Sequence, residues 1–146
     1  MSRYLLDVNT ILALLDPRHV FHEAAHAWLG SQPMSVRLLT CPLTENGVIR
    51  VASQSKYPNH LGTASDVREV MQAFCADSRH EFCPDDVSLL DEKTLAHPEL
   101  LTPSRVTDIY LLALAIKHNA RMATFDNRIP ADAILHGKKS LNVISA

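Results

Sequence analysis

Short apolar runs alternate with longer helical ones along this chain, and two of the short runs end at an acid. Tyr4-Leu5-Leu6 is too short for a helix, lacks polar alternation and stops at Asp7. It suits a strand buried on both faces of a parallel sheet. Arg37-Leu38-Leu39-Thr40-Cys41 reads the same way, as do Arg121-Met122-Ala123-Thr124-Phe125, which stops at Asp126, and Leu141-Asn142-Val143-Ile144. Glu81-Phe82-Cys83 adds a further strand. Helices are predicted over Asn9–Leu15, Phe21–Leu29, Glu45–Ser53, Thr63–Cys75, Asp86–Leu95 and Val106–His118. Phe21, Ala24, Ala25 and Trp28 share one face of the second of these, and Ile109, Leu112, Ala113 and Ile116 one face of the last. Asp16-Pro17, Gly30, Pro42 and Asn119 are the stops, and Thr44 can cap the helix that follows it. Ser55–Gly62 and His97–Ser104 are loops. Strands alternating with helices imply an α/β fold with a parallel sheet covered on both faces.

The length, 146 residues, makes one domain spanning 1–146. With 47% hydrophobic and 21% charged residues, the chain is globular rather than disordered, collagenous or a coiled coil. Fourteen Lys and Arg against sixteen Asp and Glu give a net charge of −2, which excludes a strongly basic nucleic-acid coat. A local basic patch could still meet nucleic acid. Cys41, Cys75 and Cys83 contain no Cys-x-x-Cys pair and do not read as a disulfide scaffold or a structural zinc site. The start of the chain meets Asp7 too soon for a signal peptide, and no apolar run reaches the ~18 residues that span a bilayer. The expectation is a soluble cytoplasmic protein.

In an open parallel sheet, ligands bind at the carboxyl ends of the strands. Asp7 and Asp126 end strands there, while Glu45 and Asp108 fall in the first turns of helices that follow loops. Acids gathered on one edge repel one another unless a cation neutralises them, and hard oxygen ligands suit Mg²⁺ or Mn²⁺. Asn9, Thr107, Thr124 and Asn127 flank these acids and could orient water. Each acid also has a structural reading. Asp7 can cap a helix, Glu45 and Asp108 can serve helix N-termini, and Asp126-Asn127 can form a turn.

Four segments carry a family resemblance: Tyr4-Leu5-Leu6-Asp7-Val8-Asn9-Thr10, Leu43-Thr44-Glu45-Asn46-Gly47, Val106-Thr107-Asp108-Ile109-Tyr110-Leu111-Leu112-Ala113-Leu114-Ala115 and Ala123-Thr124-Phe125-Asp126. They resemble, in order, the acidic motifs of the PIN domain. The chain is most similar to its VapC branch, the ribonuclease toxins of bacterial toxin–antitoxin pairs. Asn119-Ala120 and Asn127 are minor departures from the family pattern. The resemblance implies an α/β/α sandwich and a Mg²⁺- or Mn²⁺-dependent endoribonuclease. It matches Asp7 and Asp108 to the principal metal ligands, Glu45 and Asp126 to the other two acids, and Asn9 and Thr124 to polar helpers. It further implies a homodimer, a VapB-like antitoxin as partner and RNA as substrate, and a cleft suits single-stranded or looped RNA better than a duplex. Arg37, Arg50, Lys56, Arg105 and Arg128 lie near predicted loop or strand ends and are candidates to meet phosphate.

Three rival readings remain on sequence alone. His22-Glu23-Ala24-Ala25-His26 fits the zinc-protease pattern, with His19, His60 and His97 as sources of a third ligand. Asp7-Val8-Asn9-Thr10 is similar to the nucleophile motif of haloacid-dehalogenase-type phosphatases, with Asp85-Asp86 as the metal pair, although Asn9 stands where that family places its second acid. The third is a non-catalytic binding module on the same fold.

Overall fold

A computed structural model describes residues 2–146. The elements follow in the order β1 (Arg3–Leu6), α1 (Val8–Leu15), α2 (His22–Gly30), β2 (Arg37–Thr40), α3 (Pro42–Ala52), α4 (Ala64–Cys75), β3 (His80–Phe82), α5 (Val106–Lys117), β4 (Arg121–Thr124), α6 (Gly137–Ser140) and β5 (Leu141–Val143). Single turns of tighter helix occupy Pro98–Leu100 and Ala131–Ala133. The strands pair in parallel as one sheet, ordered β3-β2-β1-β4-β5.

Each strand divides its residues between the two faces of the sheet. Leu5 of β1 pairs with Leu39 of β2 and Met122 of β4, and this row packs against α5 through Ile109 and Leu112. Tyr4, Leu6, Leu38 and Ala123 point the other way, into a core with Ile11 and Leu12 of α1, Ala25 of α2, Val48 of α3, and Val67 and Met71 of α4. This is the three-layer α/β/α sandwich that the alternating apolar runs imply. No described helix is long and apolar enough to cross a membrane.

The local chemistry explains most boundaries. Asp7 is extended and accepts from the Thr10 amide, so β1 ends and α1 begins on one residue. Thr63 and Asp66 form a reciprocal cap on α4. Asn119 closes α5 at φ 55°.

Two expectations need correction. Helix α3 starts at Pro42, not Glu45. The fixed φ of proline suits the first helical position, so Pro42 opens the helix as well as ending β2. Thr44 is therefore inside the first turn, where its hydroxyl accepts from the Cys41 amide and donates to the Cys41 carbonyl. The predicted helix over Asp86–Leu95 is instead a string of turns. The Ser88 hydroxyl accepts from the Leu90 amide and the Asp91 carboxylate from the Lys93 amide. Such side chains offer the backbone local partners that compete with a helix.

Asp16 fastens the end of α1 to the loop beyond α3. Its buried carboxylate accepts from the Tyr57 hydroxyl at 2.5 Å, Asn59 Nδ2 at 2.6 Å and the Arg18 amide at 3.0 Å. Burial pushes its pKa up, but the hydrogen bonds from Tyr57, Asn59 and Arg18 outweigh it and hold the group below its usual value. A depressed folded pKa contributes stability above the unfolded value of about 3.9, lost as the pH falls toward the folded value. Asp16→Ala is expected to cost about 2–3 kcal/mol at neutral pH in urea unfolding. The gap from wild type should narrow below about pH 4.

Candidate active site

The sheet order fixes where a site can form. From the central β1 the chain runs outward through β2 to β3, then returns to the other side of β1 to lay down β4 and β5. The carboxyl edge between β1 and β4 is therefore a topological switch point, where connections diverge and leave a crevice. A hollow of about 230 Å³ opens there, lined by Asp7, Val8, Asn9, Thr107, Asp108, Leu111, Thr124 and Asp126. Three of the four predicted acids meet in it, with Asn9, Thr107 and Thr124 from the four polar residues expected beside them; Asn127 does not line it.

Asp7 is the deepest of them. It is buried, with Oδ1 accepting from the Thr10 amide at 2.9 Å and Oδ2 from the Thr124 hydroxyl at 2.6 Å. Burial raises its pKa, the Thr10 and Thr124 hydrogen bonds oppose the rise, and the negative charge of Asp108 adds to it. Thr124 also accepts from the Asp126 amide at 3.1 Å, so one hydroxyl at the end of β4 ties two of the acids together.

Asp108 lies in the first turn of α5, where the helix N-terminus favours a negative charge. Arg105 bridges it to Asp126: Nη1 donates to Asp108 Oδ2 at 3.1 Å and to Asp126 Oδ2 at 2.7 Å. The Arg128 backbone and side chain both donate to Asp126 Oδ1. Bonding to Arg105 first, and then to Arg128, outweighs partial burial and holds the Asp126 carboxyl at about 2. Asp126 is thus ionised, and Arg105 supplies positive charge to it and to Asp108. Carboxylates sharing one small hollow are a hard-oxygen donor set that fits Mg²⁺ or Mn²⁺.

His19, named from the sequence only as a third ligand in the zinc-protease reading, instead supports the acid site. Its Nδ1 accepts from the Phe21 amide at 3.0 Å, so Nε2 carries the proton that it gives to Asn9 Oδ1 at 2.9 Å. Burial lowers the His19 pKa and favours this neutral form. The Asn9 amide nitrogen is then left as a donor at the rim of the hollow.

Glu45 does not line this hollow. Its carboxylate accepts from the buried Thr40 hydroxyl at 2.7 Å and faces a second depression with Cys75 and His80. The basic candidates also separate. Arg105 and Arg128 are at the acids, and Arg50 is in the last turn of α3. Arg37 opens β2 at the amino edge of the sheet, opposite the hollow, and pairs with Glu81.

The rival constellations do not assemble. His22 and His26 lie tilted to one another with ring centroids 4.4 Å apart, and each places a nitrogen against a carbonyl at the end of α1, of Ala13 and Leu14 respectively. Among the described residues no third ligand joins them. Asp85 accepts from the Leu43 amide and the Tyr110 hydroxyl, and Asp86 pairs with His118 and Lys117. Neither lines the hollow with Asp7.

Comparison with known proteins agrees with this geometry. The family model described as PIN domain matches residues 4–133. Ribonuclease VapC44 of Mycobacterium tuberculosis is 42% identical over 132 residues, covering 90% of this chain and 92% of its own. Ribonuclease VapC38 of the same organism is 39% identical over 123 residues, covering 84% of each chain. Among solved structures, VapBC2 from Rickettsia felis, bound to a DNA fragment from its promoter, superposes with a TM-score of 0.59 at 16% identity, covering 99% of this chain and 100% of that one. Mycobacterium tuberculosis VapC20, described as a Sarcin-Ricin loop cleaving toxin, superposes with a TM-score of 0.58 at 12% identity, covering 90% and 96%. Both structures share the fold.

Thr124→Val keeps the shape and removes the hydroxyl that joins Asp7 to the Asp126 amide. The variant is expected to lose about 1–3 kcal/mol in urea unfolding. Its Asp7 carboxyl should titrate at higher pH than in wild type, as read by carbon-detected NMR, because a hydrogen bond that favours the ionised form is gone.

Proposed function

The chain belongs to the PIN-domain family, and on that footing we propose that it is a ribonuclease of the VapC kind, hydrolysing RNA phosphodiesters with a divalent cation. The observation that carries this reading is the convergence of Asp7, Asp108 and Asp126 on one hollow at the switch point. Asp7 and Asp108 would hold the Mg²⁺ or Mn²⁺ ion, with Asp126 completing the pocket. Glu45 would join as the fourth acid by turning from Thr40. A bound cation lowers the pKa of its water and offsets the charge that develops on phosphate.

The chain's own residues define the rest. Thr10 and Thr124 aim Asp7, and their hydrogen bonds oppose the rise in pKa that its burial causes. A cation held by the acids would free Arg105 to pair with substrate phosphate, as Arg128 beside it could. Arg50, in the last turn of α3, sits at the far end of that helix from its start after β2 and does not line the hollow. The Asn9 amide, held by His19, adds a neutral donor. A crevice that opens at a sheet edge suits a splayed single strand or loop better than a duplex. The same reading gives the chain a VapB-like antitoxin as partner, which would cover the hollow, and a homodimeric assembly in the cytoplasm.

Asp7→Asn and Asp108→Asn test the function directly. Asparagine keeps the size and remains a good helix cap, so the Asp7 variant should still start α1. Each is expected to reduce Mn²⁺-dependent cleavage of total RNA by about a hundredfold or more. Melting temperatures should be unchanged or higher, because one member of a repelling set is neutralised. Wild-type cleavage by both variants would overturn the proposal, and a large fall in melting temperature would make the acids structural instead.

A further inference from the structure

The depression that receives Glu45 lies beyond β2, away from the Asp7 hollow. It measures about 340 Å³ and brings together side chains from three elements: Glu45 of α3, Cys75 at the end of α4 and His80 at the start of β3. One ligand-type atom from each of the three lies within 4.8 Å of the other two. The buried Thr40 hydroxyl sits among them, 2.7 Å from Glu45 Oε2, 2.7 Å from His80 Nε2 and 3.9 Å from Cys75 Sγ. All three candidate ligands are half-buried, so they are both supported by the fold and reachable from solvent.

The donor types decide which cation suits the place. A thiolate and an imidazole are poor partners for Mg²⁺, which takes oxygen. With a carboxylate they form a borderline-soft set, matched to Zn²⁺ and its class. Bonds of about 2.0–2.3 Å require the three atoms to draw in by roughly an ångström, within side-chain rotation. Three protein ligands leave a fourth position for water.

We propose that Glu45, Cys75 and His80 form a binding site for a zinc-class divalent cation, separate from the acid hollow and sharing Glu45 with it. Burial holds His80 below the usual histidine range. Thr40 gives its one proton to Glu45, so the neutral His80 ring donates from Nε2 to Thr40 Oγ1, and a metal on that nitrogen requires its proton to move to Nδ1. Burial also raises the Cys75 thiol, so the metal must displace its proton: Cys75–SH and M²⁺ give Cys75–S–M⁺ and H⁺. A cation bound there fixes the Glu45 carboxylate away from Asp7. On the reading of Glu45 as the fourth acid of a nuclease, such a cation opposes RNA cleavage.

Cobalt(II) is the probe, titrated into the full chain with Mg²⁺ in excess to occupy the acid hollow. The expected result is tetrahedral d–d absorption with a thiolate-to-cobalt charge-transfer band, both bleached by stoichiometric Zn²⁺. Cys75→Ser should abolish the charge-transfer band, and His80→Gln should weaken cobalt affinity by at least about tenfold. Circular dichroism establishes that both variants fold; Glu45→Gln, weakening affinity in the same way, serves as the further ligand test should either variant unfold. Wild type without a thiolate band, or bands unchanged in the variants, overturns the site. In a second arm, Zn²⁺ added to the Mn²⁺-supported reaction should inhibit wild type and spare Cys75→Ser; equal inhibition overturns the link through Glu45. A protein that cleaves no RNA yet shows the cobalt bands would overturn the nuclease reading alone.

Discussion

Negative charge gathered at the edge of a buried parallel sheet must be balanced, and much of this structure follows from how that is done. With β1 at the centre and β4 beside it, the carboxyl ends of the two strands lie side by side. Asp7 follows the first and Asp126 closely follows the second, while α5 carries Asp108 to the same hollow. Left alone, these charges would repel. Each has a local remedy. Asp7 receives two hydrogen bonds, Asp108 sits at a helix N-terminus, and Asp126 is met by Arg105 and Arg128. Local partners thus offset part of the charge without a metal, while the burial that raises the Asp7 pKa leaves the balance for a cation to complete.

Arg105 shows why this balance is also functional. A permanent internal cation that filled the hollow completely would make it inert. Arg105 reaches the acids from the residue just before α5, through a long side chain, and leaves Asp7 untouched. On the proposed reading, a divalent ion would displace this guanidinium without unmaking any element of the fold and leave it able to meet phosphate.

The parts legible in the sequence are those decided locally. Strands buried on both faces lose polar alternation, so Tyr4-Leu5-Leu6 and Arg121–Phe125 identify themselves, and the acids that end them follow. Asn119 announces the left-handed end of α5, and the structure puts it there. What could not be read depends on side chains that choose between local and distant partners. Ser88 and Asp91 satisfy nearby amides and dissolve the helix expected over Asp86–Leu95. Glu45 was legible as a residue of the first turn after β2, but not the direction of its carboxylate, which Thr40 sets. Cys75 and His80 carry no recognisable spacing; they meet because α4 returns the chain alongside β2 as β3.

Glu45 is where these levels join. Gly47, two residues on, lets α3 approach α1: a Cβ there would stand 2.7 Å from Val8 Cγ2, and Val8 lines the acid hollow. The helix that carries Glu45 is thus pressed against the hollow on one side and borders the Cys75–His80 depression on the other. One carboxylate cannot serve two cations at full strength. If each site binds as proposed, the two equilibria are linked through its position. By reciprocity, a cation in the hollow that draws Glu45 inward must weaken the Cys75–His80 site by the same factor as the reverse. Shared ownership of a single side chain would then be sufficient to couple the two proposed metal sites.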